Sequence, residues 1–253
     1  VIDGHVYAGK DRYGSEILAL YLSAILHKPL TPLVTERNIS LGREIVPVAT
    51  KRLLSTIFSY KSLLCVYGKC FYCKREDPVC EDGNNLLSGA ILVNVNVTFV
   101  NNRSPWQRTY KKGKLALWET LDDYCQLVKP KISTHRLLDL VDVSIFDFLL
   151  QNGDRHHYET LDGNVVLLDN GKGLGNPYTH HLDILAPLYQ CCILRNATWS
   201  RLQQLGGGML KRHLESVPNI SNFVTKEHIN AIEHRLNIIY AAVEFCRKNR
   251  GMP

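Results

Sequence analysis

Residues 136–175 constrain the fold of this 253-residue chain more than any other stretch. Leu137, Leu140, Val141, Ser144, Ile145, Phe148 and Leu149 recur at helical spacing and make one apolar stripe. Asn152-Gly153 ends that helix and delivers Asp154 to a loop. Residues 165–168 then read as a short buried strand, which places Asp169 at a turn containing Gly171, Gly173 and Gly175. A fold that accepts this order must bury a long helix beneath a loop and a turn that each present a carboxylate. The glycines suit plain turn geometry and close backbone approach to phosphate equally well.

Two aspartates on neighbouring supports suit phosphoryl transfer. One accepts the proton of an acceptor hydroxyl, and the other holds a divalent cation against the phosphates. The same residues have plainer readings. Asn170-Gly171 after an apolar run signals a hairpin turn. Asp154-Arg155 is compatible with a surface ion pair of small energetic weight. His156-His157 suggests metal ligation, yet no partner lies at helical or Cys-x-x-Cys spacing nearby.

Elsewhere the chain alternates between the two regular structures. Ile17, Leu20, Tyr21, Ala24 and Ile25 predict a helix over 12–27, stopped by Pro29 and Pro32. Residues 44–50 and 90–99 predict strands, and 77–85 a loop. Residues 184–205 predict one helix, with Asp183 as N-cap, Pro187 in its first turn and Gly206-Gly207-Gly208 as its stop. Thr225 predicts the cap of a last helix whose apolar face is Ile229, Ile232, Leu236, Ile239 and Val243. The class is α+β: a small mixed part over 1–100 and a mostly helical part over 101–253 that carries the two aspartates.

Composition excludes some functions. No apolar run reaches the length that spans a bilayer. The net charge of +6 comes without a basic run of the kind that marks a nucleic-acid surface. It fits a solvated basic surface, or attraction for nucleotide phosphates and anionic glycans. Of the eight cysteines, Cys65, Cys70, Cys73 and Cys80 are clustered, while Cys125, Cys191, Cys192 and Cys246 are scattered. A zinc site usually shows two Cys-x-x-Cys knuckles, and only Cys70-x-x-Cys73 is present. An even count suits disulfides in an oxidising compartment, with 105 pairings open to eight cysteines. Five Asn-x-Ser/Thr sequons, at Asn38, Asn96, Asn102, Asn196 and Asn219, agree with a secretory lumen.

Longer motifs carry a resemblance. Glu44-Ile-Val-Pro-Val-Ala-Thr50, Tyr67-Gly-Lys-Cys-Phe-Tyr-Cys73, Pro105-Trp-Gln-Arg-Thr-Tyr110, Asp154-Arg-His-His-Tyr-Glu159 and Leu185-Ala-Pro-Leu-Tyr-Gln-Cys-Cys192 resemble the secretory-pathway kinases related to Golgi casein kinase. Cys70-x-x-Cys73 and Pro47-Val-Ala-Thr50 are similar to the xylosylkinase branch of that family. The resemblance runs from Tyr7 to Cys246 and implies an atypical two-lobe kinase fold. It implies Asp154 as the catalytic aspartate and Asp169 as the metal ligand; Glu159, five residues after Asp154 where ordinary kinases place an Asn for the second metal, is a candidate ligand or a structural carboxylate. Glu16 matches the helix glutamate that partners the nucleotide-binding lysine, an acid that pseudokinase relatives lack. It also implies the pairs Cys65–Cys80, Cys70–Cys73, Cys125–Cys191 and Cys192–Cys246.

The family's phosphate-binding loop and its lysine precede the position matching Val1, so the chain resembles a fragment that starts inside the small lobe. The implied activity is ATP-dependent phosphorylation of a xylose hydroxyl in the glycosaminoglycan–protein linkage region, with Mn2+ or Mg2+, in the Golgi lumen. Arg155 and Lys172 are candidates to neutralise phosphate charge or to pair with acids, and Trp106, Tyr158, Tyr178 and Trp199 to stack on sugars or to pack a core. Two alternatives stay open: a serine kinase acting on Ser-x-Glu peptides, and an inactive binding partner. Oligomerisation with a family relative is open as well.

Overall fold

The structure is a computed structural model that describes residues 12–28, 31–69, 73–94, 96–111 and 113–252. The chain divides into two compact units, one formed by residues 34–92 and the other by the remainder. Helix α1 (Tyr13–Ile25) belongs to the larger unit and follows the predicted helix closely.

In the 34–92 unit, β1 (Val34–Ile39) is followed by a π-helical turn (Leu41–Ile45), a 3-10 turn (Val46–Val48) and the short helix α2 (Lys51–Leu54). Strands β2 (Ile57–Tyr60), β3 (Leu63–Val66) and β4 (Val79–Cys80) form an antiparallel sheet, and β5 (Leu87–Leu92) returns to pair with β1. The strand predicted over 44–50 is therefore a pair of helical turns. The reason is local: Ser40 Oγ accepts from Arg43 N at 3.4 Å, while Glu44 Oε1 accepts from Ser40 N at 2.9 Å. These reciprocal bonds satisfy orphan donors of a helical start. Pro47 also has no N–H to give a ladder. The strand predicted over 90–99 is shifted: β5 ends at Leu92, and the next strand begins at Val100. Cys65 and Cys80 stand opposite each other on β3 and β4 and are disulfide-bonded.

The larger unit continues with β6 (Val100–Arg103), α3 (Leu117–Thr120), α4 (Cys125–Val128) and α5 (Thr134–Leu150). Then come β7 (His157–Leu161), β8 (Asn164–Val166), α6 (Ala186–Cys191), α7 (Asn196–Gln204), α8 (Met209–Glu215) and α9 (Lys226–Arg250). Helix α5 is the centre of this unit and packs against α1, α6 and α9. Every residue from Val141 to Leu150 is buried, so the apolar stripe understates how much of the helix is covered. Two of those residues are acids, and each has a partner. Asp142 accepts from Lys28, Arg195 and Thr198, and Asp147 pairs with Arg155. A buried charge persists only with such pairing.

Ser133 caps the start of α5, and Gln151 ends it in a left-handed turn with φ 62°. The fully buried Arg235 of α9 grips this end, donating to Leu149 O at 2.9 Å and to Gln151 Oε1. Desolvation lowers its guanidinium pKa to about 10. Helix α9 is capped by Thr225 and buries the five apolar residues of the predicted face.

The helix predicted over 184–205 is broken. A 3-10 turn (Leu182–Leu185) leads into α6, which stops at Cys192 in a left-handed conformation, φ 49°, before α7 begins. Two disulfides meet at this break: Cys125–Cys191 ties α4 to α6, and Cys192–Cys246 ties the end of α6 to α9. Each such bridge typically stabilises a fold by about 2–4 kcal/mol. Asp183 does not cap the helix; its carboxylate pairs with Arg108 at 2.5 Å. Cys73 is disulfide-bonded, while the predicted partner Cys70 lies outside the described residues.

The Gln190-Cys191-Cys192 motif thus has a structural account. Besides the two bridges, the buried Gln190 accepts from Trp106 Nε1 at 2.8 Å and donates to Trp118 O and Leu121 O. Of the sequon asparagines, Asn38, Asn96, Asn196 and Asn219 are exposed. Asn102 is half-buried on β6, and its amide nitrogen donates to Val100 O and Thr160 Oγ1. No helix among the described residues is long and apolar enough to cross a membrane.

Candidate active site

The left-handed end of α5 turns the chain into Asn152-Gly153-Asp154, as the sequence predicts. Asn152 is 2% exposed and joins the two halves of the site. Its Oδ1 accepts from Asp154 N at 3.2 Å, and its Nδ2 donates to Asp169 O at 3.3 Å. One buried amide therefore sets the spacing between the loop bearing Asp154 and the turn bearing Asp169. Such a bridging amide leaves a local trace in sequence, an Asn before Gly at a helix end, but its far partner is a tertiary matter.

Strands β6, β7 and β8 form an antiparallel sheet, with Asn101 opposite Glu159 and Glu159 opposite Val166. Tyr158 and Thr160 are buried, so the alternation of the strand turns His157 and Glu159 to the other face. Asp154, Glu159 and Asp169 line one open cleft with Asn101, Arg155, His156, His157 and Leu168. Asp169 is exposed and has φ 55°, a left-handed conformation that Asp adopts more readily than most residues. Asn170-Gly171 is a turn here but closes no hairpin, since no strand follows it.

The turn after Asp169 is clamped by α1. Glu16 Oε1 accepts from Asn170 N at 2.6 Å, and Oε2 accepts from Asn170 Nδ2 at 3.1 Å. Ser15 Oγ donates to Asn170 O at 2.6 Å, and Arg12 N donates to Gly171 O at 2.8 Å. Burial raises the Glu16 carboxyl pKa, its bonds to Asn170 pull it down, and nearby Asp169 adds to the rise. Gly173 is required by packing: a Cβ there would collide with Ser15 Oγ and stand 2.6 Å from Leu150 Cγ.

Of the two readings open for Arg155, the structure shows the pairing with an acid. Arg155 makes a fork to Asp147, Nε to Oδ2 at 2.8 Å and Nη2 to Oδ1 at 2.9 Å. It also donates to Leu168 O at 2.6 Å and Asn170 Oδ1 at 2.7 Å. Asp147 and Arg155 are thus a buried pair that braces the two loops from below, and Arg155 is committed to them. Asp147 was invisible as a site residue, since it sits in an apolar helical run. Lys172 is buried. Of the four candidate stacking aromatics, Trp106 and Tyr158 are core, Trp199 packs edge-on to Tyr240, and Tyr178 is 69% exposed.

A second cleft includes the chain neighbours of Asp154, Gly153 and Arg155, in its lining. It is lined by Arg108, Tyr110, Trp118, Asn152, Gly153 and Asp183 among others. Arg108 Nε donates to Gly153 O at 3.2 Å, and Tyr110 OH donates to Asp154 Oδ1 at 2.5 Å.

The donor set suits a hard divalent cation. Asp169 and Glu159 offer carboxylate oxygens, the ligands Mg2+ and Mn2+ prefer. Among the described residues no three acidic, His or Cys side chains converge into a ready metal cage.

A charge-bearing loop, a charge-bearing turn and one sheet face around a single cleft suit kinase-type phosphoryl transfer. The chain belongs to the family described as Golgi casein kinase, C-terminal, Fam20, whose model matches residues 1–253. It is 46% identical to the Drosophila melanogaster glycosaminoglycan xylosylkinase homolog over 99% of this chain and 62% of that protein. A solved structure of hydra Fam20 with sugar superposes with a TM-score of 0.91 at 41% identity, over 98% of this chain and 75% of that one. The Golgi casein kinase with Mn/ADP bound gives 0.88 at 29% identity, over 98% and 64%. The chain spans 62–64% of the length of the curated xylosylkinase relatives it matches.

Proposed function

We propose that the protein containing this chain transfers the terminal phosphate of ATP to a xylose hydroxyl of a glycosaminoglycan–protein linkage glycan. The observation that carries the reading is the joint placement of Asp154, Glu159 and Asp169 on one cleft, with Asn152 bridging their supports. Asp154 orients the acceptor hydroxyl and takes its proton. Asp169, with Glu159 beside it, holds Mn2+ or Mg2+, whose charge offsets that developing on the phosphates. Glu16 fixes the Asp169 turn through Asn170, and the family resemblance supports reading it as the partner of the nucleotide-binding lysine. The cleft bounded by Arg108, Tyr110 and Asp183 receives the acceptor in this reading, because Gly153 and Arg155, the chain neighbours of Asp154, line it together with Tyr110, whose hydroxyl bonds Asp154 Oδ1. The small part over 1–100 and the helical part over 101–253 are read as the two kinase lobes.

The sugar assignment draws on the xylosylkinase relatives, and the metal on the solved neighbour that holds Mn and ADP. The disulfides and sequons support a Golgi or secretory lumen. A sugar site pairs several hydroxyls with fixed donors and acceptors, so an acceptor without a matched hydroxyl leaves buried polar groups unpaired. The full-length protein is therefore expected to show a far higher kcat/KM for a galactosyl-xylose acceptor than for a Ser-x-Glu peptide. Efficient phosphorylation of the peptide with no sugar activity would move the assignment to the serine kinases of the family.

A further inference from the structure

We propose that Tyr110 is a positioning residue for Asp154, holding one carboxylate oxygen so that the other faces the acceptor hydroxyl. The inference rests on the reading of Asp154 as the proton acceptor.

Tyr110 lies 44 residues before Asp154 and outside any helix or strand, yet its hydroxyl reaches Asp154 Oδ1 at 2.5 Å. It also stands 3.4 Å from Asp154 O. A phenol on a carboxylate at this distance is a charge-assisted hydrogen bond, stronger than its neutral counterpart. The surrounding loop is fastened on both sides of Tyr110. Arg108 Nε holds Gly153 O, Trp118 Nε1 donates to Gln107 O at 3.0 Å, and Thr109 Oγ1 donates to Lys114 O at 2.9 Å. The ring stands edge-on to His156, centroids 6.0 Å apart, and His156 Nδ1 lies 2.8 Å from Asp154 O.

Two further features separate this contact from ordinary packing. Tyr110 is 43% exposed, so its ring is not locked inside the core. Its backbone has φ 54°, a left-handed conformation costing a bulky residue about 1–2 kcal/mol. Strain of this kind persists where surrounding contacts enforce it, and it clusters at functional sites. Here it delivers a hydroxyl to the one carboxylate that carries the proton transfer. A loop aspartate held only by its backbone would turn about its side-chain bonds. With Oδ1 occupied, Oδ2 is the oxygen left for the acceptor.

The test is a double-mutant cycle in the full-length protein with Tyr110→Phe, Asp154→Asn and both together, assayed with Mn-ATP and a galactosyl-xylose acceptor. Loss of one hydrogen bond to a charged group predicts that Tyr110→Phe lowers kcat by about 10–100-fold. KM for Mn-ATP and the melting temperature stay at parent values. In the Asp154→Asn background the second change costs less than about 2-fold, because the two residues act as a unit. An unchanged kcat, a change confined to the KM for ATP, or an equal loss in both backgrounds would overturn the role of Tyr110. Parent-level turnover by Asp154→Asn alone would overturn the base assignment and the positioning role with it.

Discussion

Asp154→Ala in the full-length protein is expected to lower turnover by about 10²–10⁴-fold, the usual contribution of a positioned acid–base group. Folding should be nearly untouched. Asp154 sits on a half-buried turn after α5 and contributes no apolar side chain to the core. The bridge from Asn152 Nδ2 to the Asp169 carbonyl does not involve the Asp154 side chain, and neither does the Arg155–Asp147 fork beneath it. The two loops should therefore keep their spacing in the variant. Nucleotide binding should survive as well, since the acceptor side of the site is the side altered. Steady-state kinetics alongside thermal unfolding checks this; activity near the parent's removes Asp154 from the role.

The metal side calls for a different substitution. Asp169 has a left-handed backbone, and alanine there would add strain to the loss of charge. Asp169→Asn keeps the shape and the backbone tolerance and removes only the charge. Stabilising transition-state charge through a metal is worth several kcal/mol, so turnover should fall on the order of 10²-fold or more. Calorimetry with ATP, with and without manganese, gives the specific readout. The variant should bind ATP more weakly only when the metal is present. An unchanged metal dependence would sink the assignment of Asp169.

The two aspartates were legible because their supports are local. A helix of 3.6-residue period, an Asn-Gly stop and an apolar run followed by glycines each write a signal within a few residues. The long helices α1, α5 and α9 were legible for the same reason, and Thr225 announced its cap. Where the chain is bent by something outside the window, the reading failed. Residues 184–205 keep a helical pattern throughout, yet the bridges at Cys191 and Cys192 and the left-handed Cys192 divide them into α6 and α7. At 44–50 an apolar run looks like a strand, but the Ser40–Glu44 cap wins locally.

The site's bracing was the least visible part. Asp147 hides in an apolar helix, Tyr110 approaches Asp154 from 44 residues away, and Glu16 meets Asn170 across 154. Arg155 was open between phosphate and an acid partner, and nothing near it in sequence names the acid waiting one helix turn before the loop. Each of these contacts is set by tertiary packing around α5, and none by periodicity.

The central claim is that Asp154 directs phosphate to a xylose hydroxyl. Phosphorus-31 NMR of the reaction products tests it most directly, using full-length protein, Mn-ATP and a galactosyl-xylose acceptor. A phosphomonoester resonance coupled to a xylose ring proton should appear with the parent and be absent, over the same time, with Asp154→Ala. Phosphate on galactose alone, or equal xylose phosphate from the variant, would contradict it.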